Sequence, residues 1–212
     1  METIDNFGSE FKWSPNDNQK YASETTNQSP RREFKPNEES VKVLYTDGGS
    51  RILNTHDGKR YIGAWSFYDT ETKEVHGKAE DNATNNQMEL MAAIRAIEYL
   101  NNNGVPKDKW VTIYLDSDYV RFGILFWTKK WVKNNWMKIN KDGQSEPVKN
   151  VDLWQALYEL NSERKIYWLH VPGHSGDEGN EKVDINCGIL MDKFIENAGI
   201  EILKKQWKEL WN

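Results

Sequence analysis

The sequence predicts an α/β fold built on a mixed five-stranded sheet, three antiparallel strands followed by two parallel ones, with helices on both faces. Three β-rich segments joined by short turns come first, which is typical of an antiparallel meander. Two later strands are each reached through a helix, and helical crossovers favour parallel pairing. At 212 residues, the chain is long enough to bury one sizeable core.

The first three strands are predicted at VKVLYTD (41–47), YIGAWSFYD (61–69) and KEVHGKA (73–79). The first strand is apolar and rich in β-branched residues. It ends at DGG, a turn signal, so we expect it to run into a loop. A turn around 70–72 joins the second and third strands.

Helices and strands alternate after the meander. Leu90, Ala93 and Ile97 recur at helical spacing, and Gly104 follows that segment as a C-cap. The predicted elements in chain order are helix 85–103, strand 110–116, helix 119–127, an amphipathic basic segment 128–138, helix 147–160 starting with a proline, strand 165–171, helix 181–199 and an amphipathic helix 200–212.

Three regions are expected from composition: a flexible polar tail at 1–40, a folded domain at 41–198 and an amphipathic helical extension at 199–212. The single Cys187 rules out an intramolecular disulfide and fits a reducing compartment. No apolar run of membrane-spanning length and no signal pattern is present, so we expect a soluble, cytoplasmic protein. The sequence identifies no protein partner, and a monomer is expected.

The net charge of −5 hides a basic segment. Between residues 121 and 149 there are seven Lys and Arg residues against two acids. A local basic segment indicates phosphate binding better than the overall charge does. Trp127, Trp131 and Trp136 interleave with these lysines. Tryptophans four residues apart usually pack in a core, but the segment as a whole also fits a protrusion that grips a duplex.

Four carboxylates, Asp47, Glu89, Asp116 and Asp184, are candidate metal ligands. Each has an ordinary explanation alone, because turns and the first turns of helices favour acids. Together they indicate a metal site if the sheet brings them into one place. Ligands of such sheets bind beyond the carboxyl ends of parallel strands. Four clustered carboxylates repel one another, and two Mg²⁺ ions would balance their charge.

Polar side chains outside this set are further candidates. His174 lies in a glycine-rich loop, where it is either merely exposed or able to carry a proton at neutral pH. Thr84, Asn85 and Asn86 open the long helix. They either cap that helix or hydrogen-bond base edges and sugars in a shallow minor groove.

In five segments the chain resembles type 1 ribonuclease H, the bacterial ribonuclease HI kind: YTDGGS, TNNQMELMAAI, LDSDYVRFGI, PVKNVDLWQAL and GHSGDEGNEKVD. The order and approximate spacing match over about 41–198. The resemblance implies a ribonuclease H fold and endonucleolytic cleavage of RNA in RNA–DNA hybrids with two Mg²⁺ ions. The products would carry 5′-phosphate and 3′-hydroxyl ends. Mn²⁺ would suit the same ligands.

The resemblance also implies roles for single residues. Asp47, Glu89, Asp116 and Asp184 would bind the metal ions, and His174 would be a mobile loop histidine that aids product release or proton transfer. Asn54, Asn85 and Asn86 would contact the minor groove. Thr84 and Asn150 would form a pocket for a phosphate of the DNA strand. The basic protrusion would contain Trp127, Lys129, Lys130 and Lys133.

Two departures from the family pattern stand out. Asp118 occupies a position where an amide is common, and it either weakens contact with the hybrid or faces solvent or a lysine. The segment after Asp47, SRILNTHDGKR, is longer and less glycine-rich than usual. Competing interpretations are another nuclease of the superfamily, such as a junction resolvase or transposase, and a hybrid-binding protein without activity.

Overall fold

Five α-helices and seven strands form the part of the chain that the computed structural model describes, residues 39–202. Almost all of the predicted tail and residues 203–212 of the predicted extension lie outside that range. The elements are β1 Val43–Thr55, β2 Gly58–Asp69, β3 Val75–Asp81, α1 Asn85–Asn102, β4 Trp110–Leu115, α2 Asp118–Phe122, a π-helical turn Gly123–Trp127, α3 Thr128–Lys133, β5 Met137–Ile139, β6 Ser145–Pro147, α4 Val151–Ser162, β7 Lys165–His170 and α5 Glu178–Asn197.

The predicted sheet is confirmed. Its five strands lie in the order β3-β2-β1-β4-β7, with β1, β2 and β3 antiparallel and with β4 parallel to both β1 and β7. Helix α1 packs on β1 and β2 from one face and also contacts α4, while α5 packs on β1, β2 and β3 from the other face. No helix within residues 39–202 has the length and apolar character needed to cross a membrane.

Each face of the sheet has its own core. The larger core includes Leu44, Leu90, Ile113 and Trp154, all with fully buried side chains. The smaller core lies under α5 and consists of Leu53, Ile62, Ala64, Cys187 and Met191. Helices α1 and α5 therefore hold β1, the strand that carries Asp47, from both sides.

The predicted end of the first strand at Asp47 is wrong. Strand β1 continues through Gly48 and Gly49 to Thr55 and pairs with β2 without interruption. Gly48 is required by helix packing rather than by a turn, because a Cβ there would lie 2.1 Å from the backbone carbon of Met88. The real turn comes at the far end of the hairpin, where Gly58 takes a φ of 112°.

Parallel pairing between β1 and β4 stops one residue before Asp47 and Asp116. Thr46 and Leu115 form the last pair, after which β1 continues only with β2, and β4 gives way to the turn before α2. Asp47 and Asp116 are therefore the next positions on neighbouring strands. Asp47 is not at a strand end, as the sequence suggested, but at the point where two strands separate.

Other boundaries also differ from the prediction. Pro147 does not start α4 but ends β6, and α4 begins at Val151 because Asn150 has a left-handed φ of 58°. The small β5–β6 hairpin was not predicted. Helix α5 begins at Glu178, before the predicted residue 181, because the Asp177 carboxylate accepts hydrogen bonds from the amides of Gly179 and Asn180.

Candidate active site

The four candidate acids come from four different elements. Asp47 lies in β1, Glu89 in the second turn of α1, Asp116 directly after β4 and Asp184 in α5. All four carboxylates are partly buried. Because α1 and α5 cover opposite faces of the sheet, the acids approach the point where β1 and β4 separate from both sides.

The pKa of Asp47 is affected by each of the other three acids. Burial, followed by the negative charge of Asp116, raises the pKa of Asp47 to about 7, and the charges of Asp184 and Glu89 act in the same direction. The amide of Gly48 donates a hydrogen bond of 2.7 Å to Asp47 Oδ1, which opposes the increase. The charges of all three other acids therefore act on one side chain.

Glu89 is held by two polar neighbours. Its carboxylate accepts hydrogen bonds from the hydroxyl of Ser117 and, at 2.6 Å, from the amide of Asn85. Burial raises its pKa, the Ser117 hydrogen bond opposes this increase, and the charge of Asp116 adds to it. Ser117 also caps α2, as the amide of Val120 donates to its hydroxyl at 3.2 Å. One serine thus fixes both the helix start and an active-site carboxylate.

The loop after β7 closes around the acids. A Cβ added at Gly173 would lie 3.1 Å from Asp116 Oδ2, so glycine leaves room for that carboxylate. His174 follows with a positive φ of 52°, its side chain is 88% exposed, and its Nδ1 lies 3.6 Å from Asp184 Oδ2. The imidazole is therefore at the cleft and free to reorient.

The donor set fits a hard divalent cation. Among residues 39–202, none of the ion pairs with Lys or Arg involves these four acids, so their mutual repulsion is not offset by a side-chain cation. Carboxylate oxygens are the ligands that Mg²⁺ and Mn²⁺ prefer. In the same range, no three His, Cys, Asp or Glu side chains are arranged as a ready-made ligand cage.

The predicted groove residues at the start of α1 have distinct environments. Thr84 is the N-cap, and its hydroxyl accepts from the amide of Gln87 while the Gln87 side chain accepts from the amide of Thr84. Asn85 contacts Glu89, as described above. Asn86 is exposed and lines a small surface cavity.

That cavity brings together residues that are far apart in sequence. Asn86, Trp127 and Asn150 line it, as do the following side chains: Tyr119, Trp131, Lys138, Val148 and Lys149. The amide of Asn150 donates to the Tyr119 hydroxyl at 3.3 Å. Lys138 pairs with Glu146 at 2.9 Å, so Lys149, the two amides and the aromatic floor are the groups suited to a phosphate.

The basic segment divides into a buried and an exposed side. Trp131 packs edge-on against Trp154 at 5.3 Å between ring centroids, whereas Trp127 is 37% exposed. The side chains of Lys129, Lys130 and Lys133 are exposed. The core explanation is therefore right for Trp131, and the lysines form a free cationic surface on α3.

Two further predicted positions are Asn54 and Asp118. Asn54 is near the end of β1, opposite Lys59. Asp118 is 51% exposed, and its Oδ1 lies 3.7 Å from an Arg121 nitrogen, so it faces solvent and an arginine rather than a lysine.

Sequence reasoning did not assign functions to Ser117, Gly173 or Tyr119. Ser117 directly follows Asp116, and this position could have indicated that its hydroxyl lies near the acids. The contact of Tyr119 with Asn150 crosses 31 positions of the chain and has no local signature.

Comparisons with known proteins agree with this geometry. The model of the RNase H family matches residues 39–187. Ribonuclease H of Ruthia magnifica is 41% identical over 152 residues, which is 72% of this chain and 96% of that protein. Ribonuclease H of Rickettsia bellii is 42% identical over 168 residues, covering 78% of this chain and 95% of the relative.

Solved structures show the same fold at low identity. LC9-RNase H1, a type 1 RNase H with the type 2 active-site motif, is 19% identical with a TM-score of 0.56, covering 72% of this chain and 73% of that chain. A foamy viral protease-reverse transcriptase in complex with dsDNA is 20% identical with a TM-score of 0.61. The match covers 74% of this chain and 98% of that chain. The family match, the curated relatives and the cluster of acids lead to one conclusion: this chain belongs to the ribonuclease H family of nucleases.

Proposed function

We propose that this protein is an endonuclease that hydrolyses the RNA strand of RNA–DNA hybrids with two divalent metal ions, leaving 5′-phosphate and 3′-hydroxyl ends. The observation that carries the proposal is the position of Asp47, whose pKa is raised to about 7 by burial and by three other acids. Such an arrangement is costly without bound cations. Family membership supplies the reaction class.

Asp47, Glu89, Asp116 and Asp184 would hold Mg²⁺, with Mn²⁺ as a possible substitute. Bound Mg²⁺ supplies Lewis acidity to the phosphoryl group and to water. Asp47, whose pKa responds to the other three acids, would be the central carboxylate of that set. Ser117 and Asn85 orient Glu89, and Gly173 leaves space beside Asp116. In the reaction, the water oxygen bonds to phosphorus while the bond to the 3′ oxygen breaks.

His174 would move a proton at the edge of the cleft. Its exposed imidazole has Nδ1 3.6 Å from Asp184 Oδ2, and imidazole is a common general acid and base. It would take up a proton during water attack or deliver one to the leaving 3′ oxygen. His174 lies in the loop between β7 and α5.

Substrate contacts would extend from the acids in two directions. Asn54, Asn85 and Asn86 would read the minor groove and the 2′-hydroxyls that distinguish RNA. The cavity of Asn86, Trp127 and Asn150 would bind a phosphate of the DNA strand, with Thr84 nearby at the start of α1. Lys129, Lys130 and Lys133 would contact the duplex backbone and make binding depend on salt.

The catalytic domain would span 41–198, between a polar tail at 1–40 and an amphipathic extension at 199–212. We propose a monomer, because each of the four acids is contributed by the same chain. The single Cys187 is buried and not in a disulfide, which supports a reducing compartment such as the cytoplasm.

A cleavage assay tests the proposal. One sequence is presented as RNA–DNA hybrid, double-stranded RNA, double-stranded DNA and a four-way DNA junction, with and without Mg²⁺. We expect Mg²⁺-dependent cutting of the RNA strand of the hybrid alone, and at least a hundredfold loss in Asp116→Asn. Cutting of the junction instead of the hybrid would favour a resolvase, and equal cutting by Asp116→Asn would reject the metal site.

A further inference from the structure

Three tyrosines form a row across the sheet beside the candidate acids. Tyr45 of β1 pairs with Tyr68 of β2 and with Tyr114 of β4, and the ring centroids of these two pairs lie 6.4 Å and 4.8 Å apart. Tyr45 precedes Asp47 by two positions in the same strand. Because side chains two positions apart in a strand point to the same side, the row lies on the same face as the Asp47 carboxylate, about 7 Å back along β1.

This face is the one that α5 covers. A Cβ at Gly49, two positions after Asp47, would lie 3.8 Å from Met191 of that helix, whereas a Cβ at Gly48 would meet the backbone of α1. The tyrosine row and the Asp47 carboxylate therefore share the layer between the sheet and α5. The charge of Asp184, which α5 carries, acts on Asp47 in this layer.

The first turn of α5 packs against this row with a close backbone approach. A Cβ added at Gly179 would lie 2.4 Å from Cε2 of Tyr45, and the next two nearest atoms belong to the same ring. Gly179 does not have a positive φ, so another residue could adopt its backbone conformation. The glycine is therefore required by its contact with the tyrosine and not by the shape of the chain.

Two further contacts connect the start of α5 to the row. Lys182 Nζ lies 4.7 Å from the centroid of the Tyr68 ring, which is a cation–π distance. Burial, followed by the charge of Asp177, raises the pKa of Tyr45 to about 12, so the N-cap of α5 also lies close to this tyrosine. The start of the helix is thus held against the sheet at two neighbouring rings.

The position of Asp184 depends on this packing more than that of the other acids does. Asp47 belongs to a strand, and Glu89 accepts hydrogen bonds from two neighbouring side chains. The Asp184 side chain is 48% exposed and lies 3.6 Å from His174, a loop side chain that is itself 88% exposed. Asp184 follows Gly179 by five positions, about 7.5 Å along the helix axis. The distance between α5 and the sheet therefore decides where this carboxylate lies.

We propose that Gly179 and Tyr45 are positioning residues, whose contact sets the distance between α5 and β1 and so keeps Asp184 within metal-binding reach of Asp47. This inference rests on the proposed function. A side chain at position 179 would have to retreat by roughly 1 Å to reach an ordinary carbon–carbon contact. Metal–ligand distances tolerate only about 0.2 Å, so a shift of this size would weaken the ion that Asp184 helps to hold.

The test is a calorimetric titration of Mn²⁺ into the whole chain bound to a hybrid with a non-hydrolysable linkage. Gly179→Ala should bind the weaker of the two ions about tenfold less tightly or worse, and the Mg²⁺ concentration that gives half-maximal kcat should rise in parallel. Tyr45→Val should also weaken this ion, because α5 loses the ring that supports it. The double variant should bind the ion more tightly than Gly179→Ala alone, because the alanine then occupies the space of the ring.

Gly188→Ala is the matched control, because it adds the same methyl group to the same helix. A Cβ there would lie 3.3 Å from the end of the flexible Arg51 side chain, so the Mn²⁺ isotherm should equal that of the wild type. Melting temperatures separate stability from positioning. A purely structural role would lower the melting temperature of Gly179→Ala and leave its isotherm, measured well below that temperature, unchanged.

The outcomes decide between the two proposals. A Gly179→Ala isotherm equal to that of the wild type, or a loss of affinity that Tyr45→Val does not relieve, rejects the positioning role while the nuclease assignment stands. If Gly179→Ala does not fold, Tyr45→Val decides alone, and an unchanged Mn²⁺ affinity in that variant rejects the role. If the wild type binds Mn²⁺ as expected but cuts no hybrid, only the reaction is rejected. A wild type that binds no Mn²⁺ rejects both.

Discussion

At the residue scale, Asp47 links the stability of the protein to the occupancy of its cleft. Its carboxylate is surrounded by three others and is partly buried, so the folded protein holds a proton there up to about pH 7. An unfolded chain releases that proton near pH 4. The folded state therefore binds more protons than the unfolded state between these two values, and the free energy of unfolding decreases as the pH rises through this window.

Without divalent metal, we expect the melting temperature of the wild type to fall as the pH rises from 5 to 8. The fall should be smaller in Asp47→Asn, because that variant has no carboxyl group at position 47 to titrate. Calorimetry on both proteins at each pH isolates the contribution of Asp47 from that of other groups. Adding Mg²⁺ at pH 8 should restore most of the loss in the wild type and little in the variant. Identical pH dependence in both proteins would show that Asp47 titrates normally.

At the element scale, the exposed lysines of α3 predict a contribution to binding rather than to catalysis. Replacing Lys129, Lys130 and Lys133 with Gln should raise KM for the hybrid several-fold and flatten its dependence on salt, because three phosphate contacts are lost. We expect kcat to stay within about twofold of the wild type. Steady-state kinetics between low and high salt provide the measurement.

The matched control replaces three exposed lysines of other parts of the chain, Lys109, Lys165 and Lys193, with Gln. Both variants lose the same charge, so a nonspecific effect of net charge would raise KM equally in the two. A KM in the α3 variant equal to that of the control would remove this helix from the binding surface.

The π-helical turn between α2 and α3 depends on a single glycine. A Cβ at Gly123 would lie 1.8 Å from the ring of Trp154, which is fully buried in the main core. Gly123→Ala should therefore destabilise the protein by about 1–3 kcal/mol, the usual cost of overpacking. Urea unfolding measures this change, and Glu159→Ala on the exposed side of α4 is the control. A stability equal to that of the control would mean that the ring moves aside freely.

Individual elements show which parts of the fold could be predicted from the sequence alone. Helical spacing was sufficient for α1, and apolar, β-branched content was sufficient for the strands, because these residues face large cores. The turn signal at DGG was misleading, because Gly48 allows the close approach of Met88 of α1, forty positions away, and does not form a turn. The proline signal at Pro147 was also misleading, because the helix start is set by the left-handed Asn150 and Pro147 ends β6.

The candidate site was predictable as a set of acids but not as a geometry. Local patterns singled out all four acids and His174, yet only the parallel register that ends at Thr46 and Leu115 puts Asp47 beside Asp116. The hydrogen bond between Ser117 and Glu89 and the cavity around Asn150 depend on packing between distant segments. No local motif encodes such contacts.

At the scale of the whole molecule, the sheet positions acids from four elements so that their charges act together. Two helices on opposite faces of the sheet, strand β1 and the residue after β4 contribute these acids, while the exposed lysines lie on a separate element, α3. Under the proposed function, changes in α3 should alter KM, and changes among the acids should alter metal affinity and kcat.

The most direct test of the central claim is a calorimetric titration of Mn²⁺ into the wild type and into Asp47→Asn in the presence of a hybrid with a non-hydrolysable linkage. If Asp47 is the central carboxylate of a two-ion site, the wild type binds two Mn²⁺ per chain and the variant binds them at least tenfold more weakly, a difference of about 1.4 kcal/mol or more. Isotherms that coincide for the two proteins would contradict a metal site centred on Asp47.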